Sequence, residues 1–544
     1  MVAGPARQSN AEQAKAEQGD NKTAAPATSV SWRGAPPFGI RWLGWRALAA
    51  LFGGLILRLW MMHAFPQDGG DSLIYGDLAK NLLLHHMFAI TDGSGVVHST
   101  LIRLPGYPLF LALCFRIFGI ANYHAVAYLQ MAMELSSCML LADFVRRIST
   151  NRAGLNTLWL AAMCPFNAVY SSAPLTESLT FDAICLALWS LQRYLSSTDS
   201  PGESQGLHLQ ENSPLGSQGL HRPDNSPGGS RGFQPPEKLR QTTGGFSPGT
   251  RLLWLALFTL AISSAALFRP DGALLAIALW PALILSRKTK LSVALRNAAV
   301  CGVLSILPFV LWSARNWSTF HVFEPLAPRY ANDPGESPHP GWQHWVKTWC
   351  LDFTCTNEIY WNVPDGAISF DDLPAWAMDS PQQQQETWTL FNEYNRDEEI
   401  SPALDAEFEA LARQRAATHP LRTWIVLPLG RLADMTLRPR VENLTIDLRW
   451  WEYLHHRSET RFSVVYGIVN LLLLMLGTAG LARRPRLWRY MLAYLILRCL
   501  LLLTIEAPET RYTLEFFPIV FAMAGIELRN LFAKKPQQQT GRPQ

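Results

Sequence analysis

Carboxylates and arginines stand where the apolar runs of this chain end. Asp68, Asp71 and Asp77 follow the first run, Arg103 lies in RLPGYP, Glu177 opens a run in PLTESL, and Arg269 and Asp271 lie in LFRPDG. Arg315 closes a run in SARNW, and Glu506, Glu509 and Arg511 stand together in IEAPETRY. A guanidinium offers a fork of donors that matches phosphate oxygens. A carboxylate can take the proton of an attacking hydroxyl. Any one of these charges alone also suits a helix end, with the side chain reaching toward water. As a group they provide what an anionic lipid headgroup needs.

The elements that must hold them are helices in a bilayer. Of 544 residues, 49% are hydrophobic and 17% charged, against roughly 25% charged in soluble proteins. Runs such as GIVNLLLLMLG and MLAYLILRCLLLLTI approach the ~20 apolar residues that span a membrane. Apolar segments near 42–62, 124–145, 153–170, 175–195, 252–268, 272–286, 293–313, 462–482, 487–506 and 513–531 predict an all-α polytopic membrane protein. It should have roughly ten transmembrane helices, short extracytoplasmic interfacial helices and a small outer subdomain. The net charge is +4, and the basic residues flank the apolar runs. They form no separate basic domain, which argues against nucleic-acid binding. The first run begins near Arg41, too far in for an ordinary signal peptide.

Basic clusters set the expected orientation. Arg146, Arg147 and Arg152, then Arg287, Lys288 and Lys290, then Arg483, Arg484 and Arg486, then Lys534 and Lys535 all belong inside by the positive-inside rule. Residues 63–104, the SSAPLTES turn, 314–460 and EAPETRY then fall outside. This requires the run after RLPGYP, about 12 residues before Gly119, to stop short of crossing. Seven divisions follow: a disordered cytoplasmic tail (1–40), an N-terminal membrane module (41–195), a disordered low-complexity loop (196–250), membrane helices (251–313), a Trp-rich outer segment (314–460), C-terminal helices (461–533) and a cytoplasmic tail (534–544). The loop carries an imperfect tandem repeat, SQGLHLQENSPLG then SQGLHRPDNSPGG. Such Ser/Gly/Pro/Gln composition builds no core.

Six of the eight cysteines lie in apolar runs, where a thiol acts as a small hydrophobe. Cys350 and Cys355, in WCLDFTCTN, are either an extracytoplasmic disulfide or two unlinked thiols. No second cluster completes a metal site, so neither a divalent metal nor another cofactor is indicated. Trp342, Trp345, Trp349, Trp361, Trp376 and Trp388 suit either an aromatic belt around an outer subdomain or a platform for an acceptor sugar.

The stretch GGDSLIYGDLAKNLL followed by RLPGYPLFLAL resembles the first outer loop of glycosyltransferase family 39 and related type-C membrane glycosyltransferases. That superfamily includes protein O-mannosyltransferases and lipid A aminoarabinose transferases. The matching residues are Asp71, Ser72, Tyr75, Ala79, Asn81, Leu82, Arg103, Pro105, Gly106, Tyr107 and Pro108. APLTESLTF, LFRPDGALL, SARNWSTFHVFEPLA and ETRYTLEFFPIV resemble later landmarks in the same order. Related transferases often carry Lys-Pro-Pro where this chain has Arg103-Leu104-Pro105.

The resemblance implies transfer of a sugar from a polyprenyl-monophosphate carrier to an acceptor hydroxyl outside the cytoplasmic membrane, usually with inversion. It makes Asp71 the catalytic base and gives Glu177 a supporting role. It offers Arg103 and Arg511 for the lipid phosphate, with Tyr75, Tyr107, Arg269, Arg315 and Tyr512 as further substrate-binding candidates. The implied partners are a polyprenyl-phosphate-sugar donor, membrane lipid, and an acceptor that is a protein, a glycolipid or a polysaccharide. The alternative is a polytopic secondary transporter for an anionic substrate or lipid, which would place its charges near the midplane and show an internal repeat of spans.

Overall fold

Helices run where apolar residues continue, and several of them begin at a proline. The structure is a computed structural model and describes residues 44–66, 70–197, 248–285, 290–364 and 366–532. These residues belong to one compact unit, 43–235 with 245–544. The expected tails (1–40 and 534–544), nearly all of the insert (196–250), Asp68, and the basic residues Arg287, Lys288, Lys534 and Lys535 lie outside the described residues.

In chain order come α1 (Trp45–Ala64), α2 (Asp71–Leu84), the hairpin β1 (Ala89–Thr91) and β2 (Val97–Ser99), α3 (Gly106–Phe118), α4 (Tyr123–Ile148), α5 (Asn151–Ala162), α6 (Pro165–Ser172) and α7 (Thr176–Ser197). Then follow α8 (Pro248–Phe268), α9 (Ala273–Leu279), α10 (Pro281–Ile284) and α11 (Leu291–Phe320). The Trp-rich segment holds α12 (Pro340–Lys347), α13 (Phe353–Cys355), α14 (Pro381–Asp397), α15 (Pro402–Thr418) and α16 (Leu427–Leu437), before α17 (Arg457–Ala482), α18 (Trp488–Leu502) and α19 (Phe517–Leu531).

Among the described residues, α1, α4, α8, α11 and α17 are long and apolar enough to cross a membrane. The chain is a multi-pass membrane protein. Five such helices stand where the sequence predicts roughly ten, and four of the shortfalls have a visible local cause. Pro165 divides the 153–170 run between α5 and α6, and Pro281 divides 272–286 between α9 and α10, because proline lacks the donor that a continuous helix requires. The 22-residue α7 carries Glu177, Asp182 and Arg193. The 15-residue α18 carries Arg489 and Arg498. At the other extreme α11 continues past the predicted end at 313 to Phe320, where His321 adopts a left-handed φ of 58°.

At 13 residues α3 is about 20 Å long, short of the ~30 Å hydrocarbon core. Its start explains RLPGYP. A Cβ on Gly106 would stand 2.6 Å from the Leu267 carbonyl oxygen, so only glycine lets α3 approach α8 this closely. Tyr107 is fully buried and donates its hydroxyl to Gln130 Oε1 at 2.7 Å, and Gln130 Nε2 donates to Ala173 O at 2.8 Å. One tyrosine thereby fastens α3, α4 and the SSAPLTES turn together.

The Trp-rich segment 314–460 has its own core. Trp342, Trp345 and Trp349 are fully buried against Phe391, Tyr394 and Phe408, and Cys350 and Cys355 are disulfide-bonded. These three indoles therefore offer no face to a sugar. Trp361, Trp376 and Trp388 remain half exposed.

Candidate active site

Two turns of chain bring Asp71 to its place. Gly70 adopts φ 61°, a value that favours glycine, and so opens α2 with Asp71 in its first turn. Unpaired amides and the helix dipole at that end favour a carboxylate. The hairpin then returns the chain toward α3. Asp77 is committed to that hairpin, since its Oδ2 accepts from the Thr91 amide at 2.6 Å and from Asn81 Nδ2 at 3.2 Å. Arg315 clamps the hairpin base, donating to Thr100 O at 2.7 Å and to Phe88 O at 2.8 Å. The segment that follows delivers Arg103.

Asp71 is gripped from both sides. Arg103 Nη2 donates to its Oδ1 at 2.9 Å, and Arg511 Nη1 donates to its Oδ2 at 2.9 Å. Burial by itself would push this carboxyl up, but Arg511 and Arg103 outweigh it and bring the pKa down to about 2. Arg511 is also paired with Glu509 through Nε, and it lies 3.9 Å from Glu177 Oε1. Arg269 Nη1 donates to Glu177 Oε1 at 2.9 Å, and its Nε lies 3.3 Å from Asp271 and 3.2 Å from Glu515. The Tyr512 hydroxyl donates to Glu509, and the Arg269 guanidinium lies 5.5 Å from the Tyr512 ring centroid. Arg103 lies 6.0 Å from the Tyr75 centroid.

These groups line a cavity of about 790 Å³ that also takes in Arg329, Tyr330, Tyr360, Trp361 and Glu506. Its lining includes four arginines (Arg103, Arg269, Arg329, Arg511) and five carboxylates (Asp71, Glu177, Asp271, Glu506, Glu509). Beside it runs an apolar groove of about 400 Å³ between α4, α7 and α8, and Phe268 lines both. Among the described residues, no group of three or more His, Cys, Asp or Glu is placed to hold a metal ion.

Solved structures match this chain at low identity. Archaeal oligosaccharyltransferase AglB from Archaeoglobus fulgidus, in complex with an inhibitory peptide and a dolichol-phosphate, is 12% identical with a TM-score of 0.45, over 91% of this chain and 51% of that one. ArnT from Cupriavidus metallidurans, bound to undecaprenyl phosphate, is 14% identical with a TM-score of 0.36, over 90% of this chain and 78% of that one. The chain spans about half the length of the archaeal oligosaccharyltransferases it matches. No family model and no curated protein matches it.

The structure brings together Asp71, Tyr75, Arg103, Glu177, Arg269, Arg511 and Tyr512 at the cavity. It does not bring Tyr107 or Arg315 there: Tyr107 is sealed below Tyr75, its ring 5.0 Å away, and Arg315 is spent on backbone carbonyls. Both correct the substrate-binding roles expected of them, and the reason is the same. A landmark residue next to a site in sequence can point into the scaffold that holds the site.

A second tier of the site was not singled out from the sequence. Arg498 is fully buried and reaches Asp271 Oδ2 at 2.5 Å, Glu515 Oε2 at 2.8 Å and the Tyr512 carbonyl at 2.7 Å. It thereby holds the carboxylates that hold Arg269. A signal existed, because an arginine inside the apolar run LILRCLLL is costly unless paired. Arg58 in ILRLW carried the same signal, and it pairs with Glu134 at 2.8 Å. Arg329, Tyr360 and Trp361 come from the Trp-rich segment, where no periodicity points them at α2.

Proposed function

We propose that this protein transfers a sugar from a polyprenyl-monophosphate carrier to an acceptor hydroxyl on the extracytoplasmic side of the cytoplasmic membrane. The observation that carries this reading is the meeting of Asp71 with Arg103 and Arg511, each at 2.9 Å. A base and two phosphate-matching cations within reach of one phosphosugar are what such a transfer needs. The groove that shares Phe268 with the cavity suits an isoprenoid chain whose phosphate sits above it.

In the proposed reaction the acceptor oxygen forms a bond to the anomeric carbon from the face opposite the phosphate. The bond from that carbon to the phosphate oxygen breaks, and its electron pair leaves with the polyprenyl phosphate. The acceptor proton passes to Asp71. Glu177, set between Arg269 and Arg511, fixes the guanidiniums in place. An arginine facing the departing phosphate supplies several kcal/mol, roughly 3–4 for a strong preorganised donor. The acceptor is a protein, a glycolipid or a polysaccharide.

The test is to incubate purified protein with a set of polyprenyl-phosphate sugars and candidate acceptors, and to follow lipids by mass spectrometry. Appearance of free polyprenyl phosphate together with a glycosylated acceptor is expected. Donors that all remain intact, with protein shown to be folded, would overturn the reading.

A further inference from the structure

We infer that the donor phosphate and Asp71 compete for Arg103, so that the bound donor itself releases the base while Arg511 keeps hold of it. The inference rests on the donor class proposed above. It starts from a conflict within the site. A carboxylate engaged by two guanidiniums makes a poor proton acceptor, because a proton on it must displace both cations. Both arginines line the cavity, together with Arg269 and Arg329.

Every arginine of the lining is already paired with a carboxylate. Arg329 shares Glu506 with Lys347, and Arg103 and Arg511 share Asp71. A phosphate that draws a guanidinium toward itself weakens that guanidinium's hold on its carboxylate. The two arginines on Asp71 are not equal in this respect. Arg511 is held by Asp71 and Glu509 and approached by Glu177, and it lies in the tight turn leading into α19. Arg269 is likewise surrounded by Glu177, Asp271 and Glu515. Among the described residues Arg103 makes one ion pair, with Asp71, and its guanidinium otherwise touches only its neighbour Ile102 O and the Tyr75 ring. It sits on irregular chain between the hairpin and α3, with 22% of its side chain exposed to the cavity. Of the two arginines on Asp71, Arg103 is therefore the one that can turn to the phosphate, and Arg511 the one that stays to orient the freed Asp71. Donor binding then precedes proton removal from the acceptor.

The experiment measures binding of a polyprenyl monophosphate to the full-length protein in lipid nanodiscs. Wild type, Asp71→Asn, Arg103→Ala and the double variant are compared. Removing the competitor should tighten binding roughly tenfold in Asp71→Asn, the equivalent of one modest ion pair. Arg103→Ala should weaken binding by about the same factor, and in that background Asp71→Asn should have little further effect. Equal binding by wild type and Asp71→Asn overturns the inference, as does the full tightening persisting without Arg103. Absence of binding by all four proteins overturns the functional reading and this inference with it. Carbodiimide labelling of Asp71 in the unaltered protein needs no variant to fold. It should rise when the polyprenyl monophosphate is added, and an unchanged yield counts against the exchange.

Discussion

Arg511 reaches across 440 positions of the chain to place its Nη1 2.9 Å from Asp71 Oδ2. One residue opens α2 near the start of the chain and the other precedes α19 near its end. Their contact ties the loop between α1 and α3 to the one between α18 and α19.

Asp71→Asn is expected to lower the rate of sugar transfer by at least 100-fold, the low end for loss of a general base. Initial rates at saturating donor measure it. The folded protein should survive, since Arg511 keeps Glu509 as a partner and Arg103 can turn to water. Transfer at the wild-type rate would remove Asp71 from the mechanism.

Arg498→Leu should be among the most destabilising single changes. It leaves the buried Asp271 and Glu515 with Arg269 as their one remaining shared cation, and breaking a buried pair this way costs about 3–5 kcal/mol. Thermal unfolding in detergent should show a large fall in Tm, and Arg498→Lys should restore only part of it, because lysine lacks the fork.

Arg315→Ala separates scaffold from site. Thr100 O loses its donor, at about 1–3 kcal/mol, Phe88 O keeps only the Thr100 amide, and the hairpin base loosens. Limited proteolysis near 88–100 should quicken. If Arg315 bound substrate instead, donor affinity would fall with no change in proteolysis.

One carboxyl gives the stability an acid limb. Asp71 is depressed to about 2, so its ion pairs stabilise the fold above about pH 4 and are lost as pH falls toward 2. Asp71→Asn should flatten that limb, read from Tm between about pH 2 and 5. An unchanged acid limb would mean that Asp71 gains nothing from its two arginines in the folded protein.

Much of the fold was legible because a bilayer imposes a simple code. Runs such as GIVNLLLLMLG have one stable solution in hydrocarbon, a helix whose backbone satisfies itself. Charges at their ends, among them Asp71, Arg103, Glu177, Arg269 and Arg511, stand out because they are expensive there. The count of membrane-length helices was less legible. Pro165 and Pro281 break helices inside runs that look continuous by hydropathy, and Arg498 turns an apolar stretch into the back wall of the site.

The sequence alone determined the class of protein, the short α3 after RLPGYP and the set of ionisable residues from which the site is made, because apolar length and the cost of buried charge are local properties. The tertiary structure decided which charges meet. Asp77 and Asp71 lie six residues apart, yet one is hydrogen-bonded to a hairpin and the other lies between two arginines from distant loops. Arg315 and Arg511 look alike at the ends of apolar runs, yet one holds backbone and the other faces the cavity. Direction and partner depend on how helices pack across hundreds of residues, and no window of sequence contains that packing.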